Sequence, residues 1–196
     1  MKCLICGMKV NTNNFDTNTK GLLEENEMEN IKYCPFCGVP AKYLKSEDDI
    51  FSKGETISEN EMYKVNAKSL DENTLVILDH AMKLEIFNSE FYASAAKLAY
   101  NAYVKETFEA LSRIEKMHAI VHQKLGGFKG LPKLVDIDYS KYKSDESLME
   151  LAENREIHAT EFYEKNAKKI NNSILKEVFV ALSEVERGHV QIARNY

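Results

Sequence analysis

The chain has 196 residues, 26 Lys and Arg against 31 Asp and Glu, and a formal net charge of −5. With 44% hydrophobic and 29% charged residues, this is globular composition for one sizeable domain, or a moderate domain with a small appendage. The acidic balance provides no basic stripe to neutralise phosphates and argues against nucleic acid as a partner. No stretch is apolar for long enough to span a membrane, and the apolar start (Leu4, Ile5) is too short for a signal peptide, so a reducing cytoplasm is the expected location.

Residues 1–45 read as one unit. They hold all four cysteines, spaced as Cys3-x-x-Cys6 and Cys34-x-x-Cys37. In a reducing compartment that pattern points to a metal site rather than to disulfides. The unit also holds Pro35, Pro40 and the polar run Asn11-Thr12-Asn13-Asn14, and it lacks a helical stripe. So small a unit buries too little apolar surface to fold alone, and a bound metal would supply the missing stability. Residues 46–73 are polar and acidic and read as a linker with room for a short strand or helix.

From residue 74 the pattern becomes helical. Leu75, Leu78, Met82, Glu85, Ser89, Tyr92, Ala96 and Ala99 step by three and four, which places them on one helix face. Val104, Phe108, Leu111, Glu115, His118, His122 and Leu125 form a second stripe, stopped by Gly126-Gly127. Residues 127–143 lack helical spacing and read as a long connection. A third stripe runs through Met149, Ala152, Glu156, Ala159 or Thr160, Tyr163, Ala167 and Ile170. The fourth runs through Leu175, Phe179, Leu182, Glu186, His189, Ala193 and Tyr196. Asp71 and Ser144 or Asp145 are suitable N-caps. The expected fold is mainly α: a four-helix bundle with one long crossover, over residues 74–196.

The two helix pairs repeat. At an offset of 71 residues, 85–118 and 156–189 share 16 identities in 34 positions without a gap. The bundle is therefore two copies of one helical hairpin. The repeat sets Glu85 on Glu156, Glu115 on Glu186 and His118 on His189, all on stripes that are otherwise apolar. Burying four carboxylates and two imidazoles without partners would cost several kcal/mol per charge. Two divalent cations would balance the four carboxylates. Glu115-x-x-His118 and Glu186-x-x-His189 put a carboxylate and an imidazole on one helix face, and one further Glu from each remaining helix completes the layout of a di-iron or di-manganese carboxylate bundle. Carboxylate and imidazole together suit iron or manganese.

The other histidines are weaker candidates. His122 follows His118 by one turn but repeats as Ala193, so it reads as a core residue or a partner of ligands. His158 and His80 lie off their stripes. Tyr92 and Tyr163 follow the single Glu residues by seven positions, and either pack in the core or hydrogen-bond a ligating carboxylate.

Together these residues resemble the rubrerythrin family, in which a ferritin-like di-iron bundle is joined to a rubredoxin-like iron site. The bundle resemblance rests on Glu85 with Phe91-Tyr92, Glu115-x-x-His118, Glu156 with Phe162-Tyr163, and Glu186-x-x-His189. The other part rests on Cys3-x-x-Cys6-Gly7 and Cys34-Pro35-x-Cys37-Gly38, which look like the two knuckles of rubredoxin. Having this module first is similar to the reverse rubrerythrins. Where rubrerythrins carry a further carboxylate one turn after the third-helix Glu, this chain has Ala159. The iron movement linked to that carboxylate is not carried over, and the remaining six-residue set is similar to that of bacterioferritin-like sites. Aromatic residues usual in rubredoxin are absent from the Cys module, and four thiolates hold zinc as readily as iron. Electron delivery to the bundle favours iron.

The resemblance implies a non-haem di-iron peroxidase that reduces hydrogen peroxide to water in oxidative stress defence. It implies two iron ions in the bundle, with manganese as the alternative, and one iron or zinc in the four-cysteine site. It also implies a homodimer in which one chain's Cys module serves the other chain's bundle. With no nucleotide-binding glycine motif, electrons would come from an external NAD(P)H-linked reductase or a rubredoxin-type donor. The alternative is an iron-binding ferroxidase or storage protein whose four cysteines hold a structural zinc ion, and a third reading is a metal-stabilised interaction module without turnover.

Overall fold

A computed structural model of the chain describes residues 1–46, 65–135 and 137–196. Most of the expected linker, residues 47–64, thus lies outside the described residues. Four long helices follow it: α1 (Glu72–Leu98), α2 (Ala102–Gly126), α3 (Asp145–Ala167) and α4 (Ser173–Arg194). Each starts at a side chain that accepts one of the backbone N–H groups left free by the first turn. Asp71 caps α1, Asn101 caps α2, Ser144 caps α3 through a reciprocal pair with Ser147, and Asn172 caps α4. Asn101 and Asn172 are equivalent in the repeat. Gly127, at φ 65°, ends α2.

The short joins between α1 and α2, and between α3 and α4, make each pair an antiparallel hairpin, and the two hairpins pack into one bundle. Asp145 locks them together at one end by accepting from the N–H groups of Tyr100 and Asn101 at 2.9 and 2.8 Å. In the crossover, Phe128, Leu131 and Leu134 cover Met82, Ile86 and Ala119. All four stripes face inward. Tyr196, read as the end of the fourth, lies beyond α4 and is 45% exposed, because nothing opposes it past the helix end. His80 and His158 are on the outside of the bundle.

Aromatic residues related by the repeat form two clusters. Phe91, Tyr92 and Phe108 make one, and Phe162, Tyr163 and Phe179 make the other. All but the half-buried Phe162 are fully buried, each contributing about 1.5–3 kcal/mol, so the clusters clamp the bundle around the polar layer between them.

The first 46 residues hold strands β1 (Lys2–Cys3) and β2 (Leu44–Lys45), paired antiparallel, and two short 3-10 turns. The two Cys knuckles are built alike. Gly7 and Gly38 donate their N–H groups to the carbonyls of Cys3 and Cys34 at 3.1 and 2.9 Å, with φ of 82° and 70°. Residues with a Cβ are strained at such φ, so a glycine closes each knuckle.

This module lies on the bundle of its own chain. Gly21 approaches α2 so closely that a Cβ there would meet Ile114 Cδ1 at 2.9 Å, and a Cβ on Gly38 would meet Val185 Cγ1 at 2.8 Å. Arg113 Nε donates to Asn18 Oδ1 at 2.6 Å, and Lys42 pairs with Glu184 at 2.8 Å. Apolar side chains of the module and of the helices form one continuous core.

Candidate metal centre

All six residues marked by the repeat meet in the bundle core, and all are buried: Glu85 from α1, Glu115 and His118 from α2, Glu156 from α3, Glu186 and His189 from α4. They form two overlapping groups, Glu85–Glu115–His118–Glu186 and Glu115–Glu156–Glu186–His189, with ligand atoms in each group within 4.8 Å of one another. Glu115 and Glu186 belong to both groups. Each turns one oxygen to each imidazole. His118 Nδ1 is 3.3 Å from Glu115 Oε2 and 3.2 Å from Glu186 Oε1, while His189 Nδ1 is 2.9 Å from Glu115 Oε1 and 3.1 Å from Glu186 Oε2. Glu85 lies 4.0 Å from His118 Nδ1 and Glu156 lies 3.9 Å from His189 Nδ1. The arrangement is two mixed O/N pockets sharing two bridging carboxylates.

The outer carboxylates are held crosswise. Tyr92 of α1 donates to Glu156 Oε1 on α3, and Tyr163 of α3 donates to Glu85 Oε1 on α1. Of the two readings of these tyrosines, the structure shows the hydrogen bond to a carboxylate. Burial pushes both phenols well above their ordinary range, so each remains a donor. The other oxygens, Glu85 Oε2 and Glu156 Oε2, are buried with no hydrogen-bond partner among the described residues. A buried carboxylate oxygen without a donor is costly, and a cation in each pocket removes the cost.

The electrostatics agree. Burial, and then the other carboxylates, push Glu85 well up and Glu156 to about 8. Burial acts on Glu115 and Glu186 too, but His118 and His189 overcome it and hold both below the usual range. Burial likewise opposes charge on the two imidazoles, and the surrounding carboxylates outweigh it, raising both well above the ordinary range. Without metal, the cage is thus neutral: two carboxylates ionised, two protonated and two imidazolium ions. Four of its protons occupy the place of four positive charges.

His118 Nε2 faces the other way and donates to the backbone carbonyl of Cys37 at 2.9 Å. A metal-binding histidine commonly donates its second N–H to a carbonyl, which leaves the first nitrogen free to ligate. Cys37 belongs to the second cluster. Cys3, Cys6, Cys34 and Cys37 are buried, unlinked by disulfides, and their sulfurs lie within 4.8 Å of one another. Hydrogen bonds from Cys34 and Cys37 push the Cys3 thiol down, whereas burial pushes Cys37 up. Four converging sulfurs fit one tetrahedral iron or zinc ion.

The family model described as Rubrerythrin matches residues 76–196. The chain belongs to the rubrerythrin family. The match covers the bundle, and the Cys module ahead of it has the rubredoxin-like arrangement that the two knuckles predict. No curated protein and no solved structure matches the chain. Where the family's additional carboxylate would stand, Ala159 is fully buried.

Sequence reasoning found the cage because the repeat marks it. It missed the pairing of Asn18 with Arg113 and the Cys37–His118 contact. The first joins residues 95 positions apart. The second uses a backbone oxygen, which has no residue-type signature.

Proposed function

We propose that this rubrerythrin-family protein is a peroxidase whose dinuclear cage reduces hydrogen peroxide to water, with electrons arriving through an iron in the four-cysteine site. The observation that supports it most directly is the 2.9 Å hydrogen bond from His118 Nε2 to the Cys37 carbonyl. It joins a cage residue to a residue of the thiolate cluster through one peptide group and one imidazole. A purely structural zinc knuckle would not require that contact.

The donor set fits two iron ions, with manganese as the alternative: Glu85, Glu115, His118 and Glu186 would hold one, and Glu115, Glu156, Glu186 and His189 the other. When bound, ferrous ions supply the two electrons which, with two protons, convert hydrogen peroxide to two waters. The chain does the rest. Glu115 and Glu186 bridge the pockets and keep their spacing. Tyr92 and Tyr163 each occupy one oxygen of an outer carboxylate and leave the other without a donor among the described residues. The aromatic clusters exclude bulk water, which strengthens every charge interaction inside.

Access is available from one side. A crevice of about 260 Å³ lies between the Cys module and α4, lined by Leu22, Gly38, Val185, Gly188 and His189 among others. His189 is the cage residue that lines it, and its Nε2 is buried with no hydrogen-bond partner among the described residues. That N–H is placed to receive the oxygen of a small hydroxylic molecule such as peroxide. Electrons reach the module from outside, from an NAD(P)H-linked reductase or a rubredoxin-type donor.

The test is stopped-flow spectroscopy of the anaerobically reduced, iron-loaded protein. Micromolar peroxide should restore the red absorbance of a ferric tetrathiolate. The Glu115→Ala variant should keep iron in the thiolate site but lose the rapid return of colour. A colourless, zinc-loaded thiolate site in protein purified from its native cell, with oxygen consumed only as ferrous iron is added, would instead support the ferroxidase reading.

A further inference from the structure

The repeat relates the two halves of the cage at every ligand and at both tyrosines, but it fails one residue further out. His122 stands one turn after His118 on α2, and its repeat partner on α4 is Ala193. His122 is fully buried. Its Nε2 lies 2.7 Å from the Tyr163 hydroxyl, its ring stacks on Tyr163 with centroids 5.7 Å apart, and Phe179 meets it edge-on at 5.4 Å. The half of the cage built on Glu85 and His118 therefore ends in a three-membered chain, His122–Tyr163–Glu85. The half built on Glu156 and His189 ends at Tyr92.

The proton directions follow from counting. With metal in the cage Glu85 is ionised and can only accept, so the one proton of the Tyr163 phenol is donated to Glu85 Oε1. The Tyr163 oxygen is left only as an acceptor, so the bond from His122 must be Nε2–H donating. His122 is then a neutral imidazole carrying its proton on Nε2, in keeping with burial that pushes it down to about 3. Its Nδ1 is buried with no hydrogen-bond partner among the described residues.

We propose that His122 is a positioning residue that acts through Tyr163 on Glu85 and makes the two metal positions inequivalent. By donating to the Tyr163 oxygen, it prevents the hydroxyl from rotating away and fixes its proton on Glu85 Oε1. Glu85 Oε2, which has no hydrogen-bond partner among the described residues, is thereby left as the free oxygen of that carboxylate. In a chain of this kind each hydrogen bond polarises the next, so Glu85 carries less free charge than Glu156. The affected half is the one whose histidine, His118, touches the Cys module. This inference rests on the dinuclear reading of the cage.

The test is calorimetric titration of Co(II) into protein whose thiolate site already holds zinc and whose cage is empty. Wild type should bind two ions in distinguishable steps. In His122→Phe one step should weaken about tenfold, the usual cost of losing an outer hydrogen-bond partner, and the other should not move. His122→Gln, whose side-chain amide can donate from the same place, should restore most of the loss. In a Tyr163→Phe background, His122→Phe should add nothing. Equal weakening of both steps, or no rescue by Gln, would reduce His122 to a space-filling core residue and overturn the proposal. Long-range ¹H–¹⁵N NMR of wild type with zinc in both the thiolate site and the cage needs no variant: His122 protonated on Nε2 supports the proposal, and protonated on Nδ1 it refutes it. If wild type binds two ions and His122→Phe changes neither, this inference alone fails. If wild type binds none in the cage, the dinuclear reading fails with it.

Discussion

Loading the cage with metal should expel about four protons per pair of ions at pH 7. Without metal, Glu85 and Glu156 are held protonated by burial, and His118 and His189 are held as imidazolium ions by the carboxylates around them. Glu115 and Glu186 are already ionised and have no proton to give. With Glu156 titrating at about 8, roughly nine-tenths of it is protonated at pH 7. Ligation needs every carboxylate ionised and both Nδ1 atoms bare. Two divalent cations therefore replace four protons, and the logarithm of the overall binding constant rises by about four per pH unit. The assay is calorimetric titration of Mn(II) in buffers of differing ionisation enthalpy, with zinc already in the thiolate site so that thiol protons do not contribute. The count should fall by about one between pH 7 and pH 9 as Glu156 ionises unaided. Release of two protons or fewer at pH 7 would show that the cage carboxylates were never held protonated, and would refute the reasoning from burial and mutual repulsion.

Three further outcomes follow from the same geometry. Between pH 6.5 and 8 the folded metal-free chain holds protons on Glu85, Glu156, His118 and His189 that the unfolded chain has released, so its stability falls as pH rises. Chemical denaturation at pH 6.5 and pH 8 should show the loss, and equal stability at both would contradict it. The substitution Gly38→Ala places a Cβ 2.8 Å from Val185 Cγ1 at a φ of +70°, which costs about 1–2 kcal/mol for the backbone alone. It should slow electron flow from the thiolate site while cage metal content stays constant, and Val185→Ala in the same chain should recover part of the loss. Cys34→Ser should empty the thiolate site and lower Tm, because the module buries too little to stand without its ion. Binding of two ions by the cage in that variant should persist.

The bundle was readable because its signals are local and doubled. A stripe at helical spacing says which face is buried, and a second copy 71 residues on shows which polar residues on that face belong together. Glu115 and Glu186 could be recognised as equivalent, but their sharing of one oxygen with each imidazole depends on how two hairpins cross. Tyr92 and Tyr163 showed their helix face and not their partners, since each reaches across to the opposite hairpin. The Cys module showed its ligands through spacing alone. Its seat on the bundle did not show, because it is made by missing side chains at Gly21 and Gly38 and by a backbone carbonyl at Cys37. His122 stood out as a break in the repeat, and only its distance to Tyr163 says what the break does.

The most direct measurement is anomalous diffraction at the iron edge from crystals of the iron-loaded protein. The account predicts two peaks in the bundle, one beside Glu85 and His118 and one beside Glu156 and His189, with Glu115 and Glu186 bridging them. A third peak is predicted among Cys3, Cys6, Cys34 and Cys37. A single bundle peak, or none with the six side chains bonded only to each other, would contradict it.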